Sequence, residues 1–199
     1  MTLLRFIMTC VLFCHIAISH ADPKLDLKTA TLLQPHKKLA HFSLTSTDNK
    51  PFTESSFIGQ WTLLFFGYGS CPEVCPKALM TFRDVFKLLP NPTSNIQPLK
   101  FVFVSLDPKT DKPGYLKSFL NRFNPDFIGL TGEEAVIEAL SKSCSVYSWQ
   151  DPEAVASAPK MIDHSATLLL INPQGRIQAV FTPPHAANAI AEDLKIILQ

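Results

Sequence analysis

Trp61-Thr62-Leu63-Leu64-Phe65-Phe66-Gly67 leads through a short turn into Cys71-Pro72-Glu73-Val74-Cys75-Pro76, and Lys77 to Leu89 follows. The first stretch is an unbroken apolar run of strand length, which indicates a central strand covered on both faces. The last places Leu79, Phe82, Val85, Phe86 and Leu89 at helical spacing, so it reads as a helix with one core face. Two thiols thus stand where a buried strand meets a helix N-terminus. Unpaired backbone N–H groups and the positive end of the helix dipole favour thiolate there. On a helical turn, residues i and i+4 share a face, with Cβ atoms about 5–6 Å apart. That is near the reach of a disulfide, and it is also a workable bite for one soft metal ion. The spacing leaves a redox pair and a metal clamp both open.

Outward from this stretch, Asp22 to Ala40 is polar and weakly patterned and reads as a linker or arm. Phe42 to Leu44 and Pro51 to Thr53 flank Asp48-Asn49-Lys50, which predicts a hairpin. Asn91 to Pro98 is a proline-rich loop. Lys100 to Leu106 is a second buried strand ending at Asp107-Pro108. The helical run between the two strands predicts a right-handed crossover, with the strands adjacent and parallel. Pro113 opens a helix that continues to Phe123, and Phe127 to Leu130 is a short strand. Thr131 and Glu134 have the capping-box spacing for a helix running to about Cys144. Val146 to Trp149 is extended, and Asp151 to Asp163 is a loop. Ala166 to Ile171 and Ile177 to Phe181 are strands around the turn Asn172-Pro173-Gln174-Gly175, and Pro184 to Leu198 is the closing helix. The alternation predicts an α/β domain, a central mixed sheet flanked by helices with an added N-terminal hairpin.

The 199 residues are 46% apolar, enough for one well-buried domain. Formal net charge is +1, and without Arg5 the remaining basic residues balance the 17 acidic ones. No basic stripe marks a nucleic-acid surface. Residues 1–21 read as an export segment. Arg5 supplies the positive start, Phe6 to Ile18 the apolar run, and Ser19-His20-Ala21 the small residues of a cleavage site. The run falls short of the roughly 20 apolar residues that span a bilayer, so a cleaved signal peptide is preferred to an uncleaved anchor. Either way the domain faces an oxidising compartment, the periplasm or the outer face of the inner membrane in a bacterium. Cys10 and Cys14 fall in this leader.

Beyond it the cysteines are Cys71, Cys75 and Cys144, and the histidines His36, His41, His164 and His185. Cys144, at a helix end with no nearby Cys or His, reads as a packed thiol. His164 precedes the strand Ala166 to Ile171. Loop ends beside neighbouring central strands lie close together, so it can approach the thiols. On the residues alone a hydrogen-bonded turn histidine is the more ordinary reading. Asp107, on the same side as the thiols if its strand is parallel, reads on spacing alone as a turn or capping aspartate. His36, His41 and His185 have no reason to approach the cysteines.

From about Phe42 to the last helix the chain resembles the Sco (SCO1/SenC) family, thioredoxin-like copper proteins that help assemble cytochrome c oxidase. The resemblance rests on Phe66-Gly67-Tyr68, Cys71-Pro72-Glu73-Val74-Cys75-Pro76, Ser105-Leu106-Asp107-Pro108, Ile128-Gly129-Leu130-Thr131-Gly132 and Asp163-His164-Ser165. It implies a thioredoxin-like domain over residues 41–199, after a leader at 1–21 and an arm at 22–40. It also implies copper, Cu(I) or Cu(II), bound by Cys71, Cys75 and His164, with Asp107 tuning the site. The implied partners are the copper-site subunit of a terminal oxidase and another copper chaperone. Membrane contact would come only through an N-terminal anchor. Two thiolates and an imidazole suit copper, and zinc would ordinarily take a fourth ligand. The alternative is a thiol–disulfide oxidoreductase that reduces a partner's cysteines. Such enzymes usually place a proline at the start of the strand facing the thiols, and Asp163-His164-Ser165-Ala166 has none. A thiol peroxidase, with one activated cysteine and a separate resolving one, fits the tight pair poorly.

Overall fold

The structure, a computed structural model, describes residues 25–89, 98–150 and 162–199. The leader with Cys10 and Cys14, nearly all of the proline-rich loop and most of the expected loop after Gln150 lie outside the described residues. At the centre are β4 (Trp61–Gly67) and β5 (Leu99–Ser105), paired in parallel from Trp61↔Leu99 to Gly67↔Ser105. The helix α1 (Val74–Leu88) makes the crossover between them. Strand β6 (Ile128–Thr131) extends the parallel part beyond β5. On the other side, β9 (Leu168–Ile171) pairs antiparallel with β4, and β10 (Arg176–Phe181) antiparallel with β9. The predicted hairpin is present as β2 (Ser43–Ser46) and β3 (Pro51–Thr53), and β2 joins the sheet antiparallel to β6. Asn49 turns it with φ 57°, a left-handed conformation that asparagine tolerates. The result is the mixed sheet expected from the sequence, in the order β1-β10-β9-β4-β5-β6-β2-β3 with β1 (Ala30–Lys38) at one edge.

Both faces of the central strands are covered, which is why their sequences lack polar alternation. Leu63 and Phe65 of β4, with Phe101 and Phe103 of β5, pack against α1, α2 (Pro113–Asn121) and α4 (Ala187–Ile197). Leu64, Phe66, Val102 and Val104 face the other way, toward the hairpin and α3 (Glu134–Ser143). Phe52 and Phe57 meet edge to face there, with centroids 5.2 Å apart. Truncating one such buried phenylalanine costs about 3–5 kcal/mol, more than any single cap or helix propensity. The core therefore decides the fold. No helix of the described residues is long and apolar enough to cross a membrane.

Two expectations are corrected. Residues 22–40 are not wholly an arm, because Ala30–Lys38 forms β1 against β10. Thr131 is not the cap of α3. It is the last residue of β6, paired with Thr45 of the hairpin, and Glu133 takes the cap position. Sheet pairing overrode the local capping pattern.

β1 is fastened from far along the chain. The buried Asp193 carboxylate of α4 accepts the backbone N–H groups of Lys28, Thr29 and Ala30 at 2.7–2.8 Å, and the Thr29 hydroxyl at 3.0 Å. Burial opposes its charge, but these four donors outweigh burial and hold its pKa below the ordinary carboxylate value. A folded-state pKa below the unfolded one contributes stability that is present above the unfolded pKa of about 3.9 and lost as pH falls through the folded value. Asp193→Asn is expected to lower unfolding stability by about 2 kcal/mol at pH 7. Denaturant titrations from pH 7 to pH 2 should show the difference from wild type shrinking below about pH 4.

Candidate metal centre

Strand β4 ends at Gly67, and Tyr68, Gly69 and Ser70 carry the chain across to Cys71. Helix α1 begins at Val74, with Pro76 in its first turn, where a missing N–H costs nothing. Its cap residue Glu73 makes no side-chain capping bond. The Cys71 sulfur takes that part, accepting the Cys75 N–H at 3.4 Å. The two cysteines therefore do not share a helical face: Cys71 precedes the helix and Cys75 lies in its first turn. Burial opposes charge on Cys71, but N–H groups of Cys75 and Glu73, with smaller help from the Cys75 thiol and the Tyr68 hydroxyl, bring its pKa below the usual thiol value.

Cys75 points inward and has no exposed surface. Burial pushes its pKa up, against a hydrogen bond from the Tyr68 backbone N–H, and the negative charges of Cys71 and Asp111 add to the rise. Its sulfur rests on the end of β4. A Cβ on Gly67 would come within 2.7 Å of it and within 2.9 Å of the Phe103 ring.

His164 reaches the thiols from a separate element. It ends β8 (Ile162–His164), which pairs with β7 (Ser148–Gln150) as a two-stranded ribbon outside the main sheet. His164 Nε2 lies 3.5 Å from Cys75 Sγ, and Nδ1 faces the Ser165 carbonyl at 3.4 Å. With the proton on Nδ1, the Nε2 lone pair points at the thiols. Burial holds its pKa below the usual histidine value, so the ring is neutral at pH 7. Phe65 and Tyr68 fix the ring edge to face, at 6.0 and 6.1 Å between centroids.

The two sulfurs and the imidazole nitrogen all lie within 4.8 Å of one another. They border a pocket of about 150 Å³ walled by Tyr68, Pro72, Val74 and Ile162. The donor set is soft, three-membered and reachable from one side, and it fits a copper ion. Asp107 is not in this cluster. It is buried in the turn after β5, where its carbonyl accepts the N–H groups of Thr110 and Asp111. Cys144 is a packed thiol in the second core, and burial pushes its pKa up to about 12. His41 pairs with Glu54, and His36 meets the Asn172 amide at 3.2 Å. His185 donates to the Ala166 carbonyl at 2.6 Å, two residues beyond His164.

Sequence reasoning missed Asp111 and Tyr68. The buried Asp111 carboxylate accepts the Gly69 N–H at 2.8 Å and the Ser105 hydroxyl at 2.6 Å, tying the turn before Cys71 to the end of β5. An aspartate four residues after Asp107 in the same turn was the available signal. The Tyr68 hydroxyl accepts the Ile162 N–H at 3.3 Å. Burial raises the Tyr68 pKa to about 12, so this hydroxyl keeps its proton.

A family model described as SCO1/SenC matches residues 30–199. "Protein SCO2, mitochondrial" of Saccharomyces cerevisiae is 36% identical over 137 residues, covering 68% of this chain and 44% of that protein. The chain thus spans less than half the length of that relative. A structure of Bradyrhizobium japonicum ScoI with copper bound is similar at TM-score 0.69 and 31% identity, covering 80% of this chain and 98% of the other. Arabidopsis thaliana ScoI with copper bound is similar at TM-score 0.72 and 28% identity, covering 80% and 97%.

Two outcomes are expected from this geometry. In the reduced protein at pH 7, iodoacetamide should modify Cys71 before Cys75 and Cys144, by at least about tenfold in rate, because a lower pKa gives more thiolate. Peptide mass spectrometry over time reads the order, and Cys75 reacting first would contradict it. Gly67→Ala should push the Cys75 sulfur off the strand end and weaken metal binding even where the protein stays folded, as metal titration beside circular dichroism would show.

Proposed function

The chain belongs to the SCO1/SenC family, and from that premise we propose that it is a copper-binding metallochaperone that assists copper-site assembly of cytochrome c oxidase. One observation carries the reading: Cys71, Cys75 and His164 bring three donor atoms within 4.8 Å of one another. Cys71 and Cys75 supply soft sulfur for Cu(I), and the neutral His164 supplies a nitrogen that also suits Cu(II). A site with three protein donors beside an open pocket leaves the cargo reachable by an incoming ligand. That is the requirement for delivery rather than storage. The copper-bound ScoI structures of Bradyrhizobium japonicum and Arabidopsis thaliana support this choice of metal.

The same reading proposes an exported domain, led by residues 1–21 and acting in the periplasm or at the outer face of the inner membrane. The similarity to a SCO1/SenC family lipoprotein of Bacillus anthracis is in keeping with it. The proposed partners are the copper-site subunit of a terminal oxidase, as recipient, and another copper chaperone, as donor.

The lowered pKa of Cys71 beside a second thiol favours a second reading, thiol–disulfide exchange. The Cys71 thiolate would attack a partner disulfide, and Cys75 would resolve the mixed disulfide. Two electrons would pass to the partner, leaving two partner thiols and a Cys71–Cys75 disulfide. His164 separates the readings, since metal binding uses it and exchange does not. In anaerobic titration the reduced wild type should bind one Cu(I), and oxidation of the pair should abolish tight binding. His164→Ala should lower copper affinity by more than about 100-fold, beyond the usual cost of losing an outer partner of a metal ligand. Reduction of an acceptor disulfide peptide should persist in the same variant. Unchanged copper affinity in His164→Ala, with reduction of the peptide intact, would replace the chaperone with the oxidoreductase.

A further inference from the structure

Cys71 and Cys75 are both free thiols, but they are not equally free to move. The Cys75 sulfur has no exposed surface and rests on the end of β4, where a Cβ on Gly67 would lie 2.7 Å from it. A disulfide requires the two sulfurs to close to about 2.05 Å. With Cys75 seated, the closing movement falls to Cys71 and to the turn, Tyr68 to Ser70, on which it hangs.

That turn is held from the end of β5. Asp111 is 0% exposed, and a single carboxylate oxygen, Oδ2, accepts the Gly69 N–H at 2.8 Å and the Ser105 hydroxyl at 2.6 Å. Ser105 Oγ in turn accepts the Asp107 N–H at 3.0 Å, so its own proton is the one given to Asp111. The backbone of Asp111 is fixed as well, its N–H donating to the Asp107 carbonyl at 2.8 Å. The carboxylate is thus placed by β5 and by its own turn, and Gly69, two positions before Cys71, is the group it holds. The fit leaves no room for a side chain at that glycine. A Cβ there would lie 2.8 Å from Asp111 Oδ1 and 2.6 Å from the Tyr115 ring.

We infer that Asp111 is a positioning residue for the thiol pair: by holding Gly69 it keeps Cys71 at the separation from Cys75 that suits a metal ion, and so favours the dithiol over the disulfide. The metal half of this rests on the copper reading of the site, and the thiol half does not. An interaction made in the open dithiol and weakened as Cys71 swings inward stabilises the dithiol by the difference. The oxidation it opposes is ordinary exchange. Two thiols yield two electrons and two protons to an incoming disulfide, which departs as two thiols, and the Cys71–Cys75 bond forms.

The test compares wild type with Asp111→Asn and Asp111→Ala. Asparagine can set its amide oxygen where Oδ2 stands and keep both hydrogen bonds, whereas alanine loses both. Two quantities are read beside thermal unfolding: the dithiol–disulfide equilibrium of the metal-free protein against glutathione, and Cu(I) affinity of the reduced protein by competition with a chromophoric chelator. Asp111→Ala should shift the equilibrium toward the disulfide by about tenfold, a potential about 30 mV lower. It should also bind Cu(I) about tenfold more weakly. Asp111→Asn, with neutral bonds in place of stronger ones, should stay within about threefold of wild type in both. A lower unfolding temperature alone is what any buried deletion gives, and with either quantity unchanged in Asp111→Ala the inference is overturned. It is overturned too if the equilibrium moves toward the dithiol, or if asparagine shifts it as far as alanine does. If wild type itself binds no copper, the proposed function fails, and the glutathione equilibrium alone decides this inference. Should an Asp111 variant fail to fold, Gly69→Ala presses the same contact apart from its other side. A shift toward the disulfide then upholds the inference, and no shift or the opposite one overturns it.

Discussion

The contact of the Cys75 sulfur with the end of β4 is the constraint on which the site depends. A sulfur sits where a side chain on Gly67 would have to be. That contact seats the first turn of α1 on the strand end, and the seat in turn decides where Cys71 falls. Cys71 is left just outside the helix, its sulfur over the first-turn N–H groups. The two thiols thereby become chemically unlike although they lie four residues apart. One is stabilised as an anion by backbone donors, and the other is kept neutral by burial. A pair of equivalent thiols on one helix face, the simplest reading of the spacing, would not give that asymmetry.

The third donor arrives by a different physical route. β7 and β8 make a ribbon of a few residues, too short to be stable alone. Its tie to the cysteine segment runs through Tyr68, and just beyond His164 the chain is held by His185 at the Ala166 carbonyl. The main sheet acts as a fixed bed for two sulfurs, while the imidazole is held by a few hydrogen bonds and two ring contacts. Asp111 stiffens the bed by bonding the turn before Cys71 to the end of β5.

The central sheet was legible in the sequence because burial on both faces leaves a local trace. Trp61–Gly67, in which Thr62 alone is polar, and Phe101–Val104 are apolar runs for that reason, and the helix between them fixes their parallel pairing. β1 left no such trace. It lies at an edge, carries Pro35, His36 and two lysines, shifts register between Leu32 and Lys37, and is fastened by Asp193 from more than 160 positions away. Thr131 carried a real capping pattern that lost to pairing with Thr45. At the site, the cysteines were legible because their chemistry is local to one turn. His164 needed the family resemblance, since a strand of three residues paired across a loop has no readable period. Tyr68 and Asp111 stayed invisible because their roles are distances between segments 94 and 42 positions apart.

The Asp193 clasp has a mechanical consequence. Residues 28–30, just before β1 and at its start, are stitched to the last helix, and β1 then runs antiparallel along β10. A pull transmitted from the preceding chain would first meet four hydrogen bonds to one carboxylate, and next the ladder of an edge strand. The first elements to bear that load are α4, β1 and β10, none of which carries Cys71, Cys75 or His164. A domain tugged at this end would keep its ligand geometry until the clasp gave way, as a hinge pin shields a lock from the weight of the door.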